Sequence, residues 1–180
     1  MSLWKKFAGL ALCGLLIAGF AACDVFDDDD DASTGNLSVM IHDAPSDDLQ
    51  SAFVTFSALE LRQVGGDWVG ASGAFPLELD LLTLVNGTEA ELGNGSLPAG
   101  QYDAMRATIS GVRVVLVDTT EIDVPLPGGS LSTEVASFPV ITIDENGALT
   151  VTLDFPVDSS FTVNGTTITF SPSIIFEGSN

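Results

Sequence analysis

Thiols and imidazoles are scarce in this 180-residue chain: two cysteines, Cys13 and Cys23, and one histidine, His42. A Ser-His-Asp arrangement could use only His42. Its neighbour Asp43 does not complete it, because consecutive strand residues point to opposite faces. No Gly-x-Ser-x-Gly elbow occurs. Acidic residues number 25, so the mere presence of a pair suited to glycoside hydrolysis carries no information. The expectation is therefore a non-enzyme, with a carboxylate-based hydrolase as the least favoured alternative. The stretch Asp43-Ala-Pro-Ser-Asp47-Asp48 places three carboxylates on one expected loop. Calcium takes clustered oxygen ligands, which makes Asp43, Asp47 and Asp48 the weak candidates for a calcium-stabilised adhesion module. Their spacing is not that of an EF-hand, and Asp and Pro favour turns without any metal. No cofactor is expected.

Five positive residues oppose the 25 acids. Beyond residue 22 only Arg62, Arg106 and Arg113 remain, which leaves −22 for that part of the chain. Such a field repels nucleic-acid phosphates and argues against a nucleic-acid partner. It also suits a solvated surface in high salt, where self-repulsion is screened. Arg106 and Arg113, scarce cations in strand-like segments among acids, read as braces paired with carboxylates, with an anionic ligand site as the less favoured alternative. Trp68, just after Gly65-Gly66, is the candidate for contact with a carbohydrate ligand, and half-burial against the core is its other reading.

Cys23 is best understood from what precedes it. Lys5 and Lys6 are followed by the uncharged run FAGLALCGLLIAGF at 7–20, then Ala21-Ala22. A positive start, a short apolar run and a small-residue exit form a secretory signal. The run is too short for a comfortable membrane span, which takes roughly 20 apolar residues. Phe20-Ala21-Ala22-Cys23 resembles the bacterial lipobox, with phenylalanine where that pattern prefers leucine. The resemblance implies cleavage before Cys23 and lipid on its thiol. Stable anchoring takes at least two acyl chains, which this modification supplies. Removal of Cys13 with the signal leaves no cysteine pair for a disulfide.

The expected organisation is thus a signal peptide at 1–22, an acidic flexible tether at 23–35 and one domain at 36–178. Asp27 to Asp31 repel one another and favour an extended tether. Segments 77–81, 121–126 and 149–155 alternate apolar and polar residues with a period of two, the pattern of half-buried strands. In 52–62 the phase changes: Val54, Phe56 and Ala58 share one face, Leu59 and Leu61 the other. A bulge near Ser57–Ala58 reconciles them, since one extra residue flips the phase. Gly65-Gly66, Asp144-Glu145-Asn146-Gly147 and Asn164-Gly165 read as turns between strands. Thr88–Leu92 allows one helical turn at most, and 125–133 reads as a long contact loop. Many short strands with frequent turns imply an all-β sandwich.

Several pieces together resemble a family of exported proteins known as domain of unknown function 4382. They are Leu37 to Pro45, Asp80-Leu-Leu-Thr-Leu84 with Asn86-Gly87, Leu97-Pro-Ala-Gly-Gln-Tyr102 with Met105-Arg106, and Leu153-Asp-Phe155 with Pro172. His42 departs from the threonine expected before the Asp-Ala-Pro turn. The Leu-Pro-Ala-Gly-x-Tyr piece is also similar to a strand entry in transthyretin-like (prealbumin-like) and carboxypeptidase-regulatory-like domains. That likeness implies a single Greek-key β-sandwich. Neither resemblance implies an activity. The sequence therefore suggests a lipid-anchored cell-envelope protein with a binding or structural role, toward carbohydrate or another envelope protein.

Overall fold

The computed structural model describes residues 33–43 and 45–180. The signal segment, Cys23 and the acidic run lie outside the described residues. The domain is all-β, as the alternation predicts. Its strands are β1 (Thr34–His42), β2 (Leu49–Gln63), β3 (Trp68–Gly70), β4 (Leu77–Asp80), β5 (Ala90–Pro98), β6 (Gly100–Leu116) and β7 (Glu121–Asp123). They continue with β8 (Leu131–Ala136), β9 (Ile141–Ile143), β10 (Ala148–Asp154), β11 (Phe161–Asn164), β12 (Thr167–Phe170) and β13 (Ile174–Ser179). A four-residue helix, α1 (Val157–Ser160), and 3-10 turns at Leu81–Thr83 and Pro127–Gly129 complete it.

Two layers face each other across one core. In the first, β2 and β6 pair antiparallel along almost their full length, with β3 and β4 on β2 and with β7, β8 and β9 on β6. The second has the order β13-β10-β1-β5. Strand β8 joins them, pairing with β6 through Arg106–Ile109 and with β13 through Val135 and Ala136. The chain passes back and forth between layers, so that β5 and β10 both return to flank β1. Strands β1 and β10 run parallel, while β1–β5 and β10–β13 are antiparallel.

The bulge expected near Ser57 is present. Phe56 pairs with Ile109 and Ala58 with Thr108, which leaves Ser57 over; Ser110 is left over on β6 beside it. On one side of this irregularity Val54 and Phe56 are buried, and on the other Leu59 and Leu61. The extra residue lets both apolar sets reach the same core. Two expected turns close hairpins, Gly65-Gly66 between β2 and β3 and Asn164-Gly165 between β11 and β12. The turn at Asp144–Gly147 is closed by a bond from the Gly147 N–H to the Asp144 carbonyl, with Asn146 at φ 55°. It joins β9 of one layer to β10 of the other and so makes a crossover in place of a hairpin. Gly35 packs against it so closely that a Cβ there would collide with the Asp144 carbonyl and Ile143.

Two local expectations change. Thr88–Leu92 contains no helical turn; β5 begins at Ala90, because pairing with β1 outweighs a weak local preference. The supposed loop at 125–133 is already strand from Leu131, and that strand is the bridge between the layers. The described domain also takes in Thr34 and Gly35 at its start and Ser179 at its end.

Tyr102 is wholly buried, and its hydroxyl donates to the Pro98 carbonyl four residues upstream at 2.8 Å, which fixes the β5–β6 turn. At the far end of the core Phe155 meets Phe56 of the opposite layer edge-on at 6.3 Å, and Phe170 of the β11–β12 hairpin in a stack at 6.4 Å. Phe155 is therefore the pin through both layers and the hairpin. Truncating it leaves a cavity with three apolar walls. Phe155→Ala is expected to cost about 3–5 kcal/mol, read as a lower urea midpoint with an unchanged slope.

Candidate functional site

All three arginines of the domain lie on the outer face of the β2–β6 layer. Arg62 donates through Nε to Asp103 at 2.8 Å, and Arg106 through Nε to Glu60 at 2.8 Å. These bonds hold both guanidinium pKa values above their ordinary range, the bond itself being the largest cause in each case. Trp68 stands opposite Arg62 in the β2–β3 register. Its ring carries the Arg106 guanidinium at 4.1 Å and that of Arg62 at 5.5 Å. The stacking partners of Trp68 are thus arginines of its own domain, an arrangement the ring quadrupole favours. The pairing of Arg106 and Arg113 with carboxylates agrees with their reading as braces.

Arg113 repeats the arrangement further along β6. Its guanidinium lies 3.9 Å from the centre of the Phe53 ring and 3.7 Å from both Glu78 and Glu121. Strand alternation, which puts Phe53 outside when Val54 is inside, was the signal that could have identified this partner. Arg113 also lines a cavity of about 350 Å³ with Thr55, Glu78, Ser110, Asp123 and Leu126.

The outer face of the second layer differs. At one end, His42 of β1 pairs with Asp154 of β10 in register and with Glu177 of β13. His42 Nε2 is hydrogen-bonded to Glu177 at 2.8 Å, and Nδ1 lies 3.8 Å from Asp154. The two ring nitrogens face two different carboxylates. Burial, followed by the charge of Glu177, raises the Asp154 pKa, and the nearby His42 opposes that shift. Toward the other end, the outward residues of β5, β1 and β10 are mostly amides and hydroxyls, with Ala148 among them, and a cavity of about 250 Å³ opens among Asn36, Ser38, Asn94, Ala148 and Thr150.

The proposed loop ligands do not converge. Asp43 turns inward, 5 % exposed, and accepts the Val157 N–H at 2.9 Å at the start of α1. Asp47 and Asp48 face solvent. Among the described residues no three His, Cys, Asp or Glu side chains are grouped to hold a metal ion. Asp43 is instead a tie between the β1–β2 connection and α1, and its backbone N–H bonds the Leu84 carbonyl.

A protein-family model described as Domain of unknown function (DUF4382) matches residues 34–172. The chain belongs to this family. The match spans nearly the whole sandwich, so the sandwich is the DUF4382 domain itself. No curated protein and no solved structure matches the chain. Among the described residues no helix of this DUF4382 protein is long and apolar enough to cross a membrane.

Two outcomes follow from this geometry. Asp43→Ala removes the acceptor of a buried N–H and is expected to cost about 1–3 kcal/mol in urea unfolding, whereas Asp43→Asn retains an acceptor oxygen and loses less. Asp154 binds its proton more tightly folded than unfolded, so its contribution is full below about pH 3.9 and fades as pH rises through the raised native value. Asp154→Asn should therefore make the slope of stability against pH more positive than in the wild type just above pH 4. Parallel urea melts from pH 4 to 6 measure it.

Proposed function

We propose that this DUF4382 protein is an exported lipoprotein, held to a membrane by acyl chains on Cys23. Its acidic β-sandwich serves a non-catalytic binding or structural role in the cell envelope. The observation that carries the anchor is the order of residues 5–23: two lysines, an uncharged apolar run, then Ala21-Ala22-Cys23. The strand domain begins at Thr34, soon after this cysteine and its run of aspartates. At full extension the intervening residues reach roughly 40 Å, enough to hold the domain clear of a bilayer surface.

A binding or structural role accords with the way the domain uses its reactive side chains. His42 is engaged by two carboxylates, and each arginine is stacked on an aromatic ring beside an acid. These groups brace the sheet faces. The anchor is tested by mass spectrometry of the protein from its native membrane. The expected N-terminal peptide starts at Cys23 and carries the mass of a diacylglyceryl group, and Cys23→Ser should move the protein from the detergent to the aqueous phase on cloud-point separation. An unmodified peptide with another start would overturn the proposal.

A further inference from the structure

We propose that the outer face of β5, β1 and β10 is a binding site for an uncharged glycan. This rests on the binding role proposed above and names its ligand class. The argument begins with the distribution of charge. The chain carries a formal charge of −20, and most acids of the described residues lie on the outer face of the β2–β6 layer, in turns and near strand ends, with Asp43 buried. The rows that cross β5, β1 and β10 are different. Ser96, Asn36 and Ala148 lie side by side in one row, and Asn94, Ser38 and Thr150 in the next. Thr152 follows beside Met40. Acids return with Glu91 on β5, whose carboxylate accepts the Asn94 amide N–H, and with Asp154 and Glu177 near His42.

Neutral amides and hydroxyls in such a molecule select by exclusion. An anionic polymer is repelled by the surrounding field, and a cationic partner is drawn to the acids elsewhere. A ligand without charge meets neither effect on these rows. Amides and hydroxyls donate and accept, which is the complement of a sugar hydroxyl. Neighbouring strands place such groups about 4.8 Å apart, and alternate residues of one strand about 6.6 Å apart, so the face is a grid of short polar groups. The cavity of about 250 Å³ sits within this grid, lined on its outward side by Asn36, Ser38, Asn94, Ala148 and Thr150. It is small enough for one sugar unit, with the rest of a chain lying along the rows. Trp68, the aromatic that the sequence offers for stacking, is on the other layer beneath two guanidinium groups.

The test uses the purified protein and immobilised neutral polysaccharides (glucan, mannan, xylan and chitin), with alginate as the anionic comparison. Retention on at least one neutral polymer and none on alginate is expected, followed by titration with oligosaccharides of the retained type. Ser38→Glu puts a charge at the centre of the grid and should weaken binding at least about tenfold. Thr150→Val keeps the β-branched shape and removes one hydroxyl, for a loss of about two- to tenfold. Trp68→Ala, on the opposite layer, should leave binding unchanged. Melting curves check folding, and Thr150→Val decides the matter if Ser38→Glu does not fold. The proposal is overturned by no retention on any of the neutral polymers, by retention on alginate, or by binding that survives both face substitutions. Because the readout needs no lipid, it fails separately from the anchor, which the mass of the N-terminal peptide decides.

Discussion

The long antiparallel pairing of β2 with β6 is the constraint on which the other elements depend. Its inner face supplies Val54, Phe56, Leu59 and Leu61 from one strand and Met105, Ala107, Ile109 and Val114 from the other, all buried. Its outer face carries the three arginines. Four further strands of the first layer attach to β2 or β6 by only a few residues each, and β8 leaves this pair to reach β13. The paired bulges at Ser57 and Ser110 are needed for this arrangement. Without them the strands beyond that point would turn their apolar residues to solvent, and the charged partners on the outer face would be turned inward.

The second constraint is electrostatic. A domain with so few cations cannot neutralise its acids one by one, and it does not. It places guanidinium groups where a single cation meets several partners: Arg113 between Glu78 and Glu121 above Phe53, and Arg106 against Glu60 above Trp68. The planar fork of arginine allows an in-plane bond to a carboxylate and a stack on a ring at once, which a lysine ammonium could not reproduce. Apart from the buried Asp43 and the partly buried Asp154, most of the remaining acids among the described residues lie in turns and at exposed strand positions, where water and salt screen them.

Much of this was legible in the sequence because it depends on local periodicity. Alternation identified the strands, the phase change at 52–62 located the bulge, and Asn-Gly and Gly-Gly pairs marked two hairpins. What was not legible depends on contacts distant along the chain. Nothing in Asp144–Gly147 distinguishes a hairpin from a crossover; that is decided by β9 pairing with β6 while β10 pairs with β1. Nothing in residues 131–136 says that they bridge two layers. For Trp68 the sequence allowed a ligand platform or half-burial, and it gave no sign of the guanidinium groups of Arg62 and Arg106 that strand register brings alongside.

The pieces by which the family is recognised all turn out to hold the fold. Asp80 accepts the Ala52 N–H and its carbonyl accepts the Thr83 hydroxyl. Leu84 accepts the Asp43 N–H, and the Asp43 carboxylate accepts the Val157 N–H, so two separated motifs meet at one junction. Tyr102 secures the turn made by Leu97–Gly100 through Pro98. Residues in these roles specify a sandwich and name no ligand, so membership in the family carries the architecture without a function. The glycan specificity proposed for this member resides in outward positions such as Ser38 and Thr150, whose side chains point away from the core.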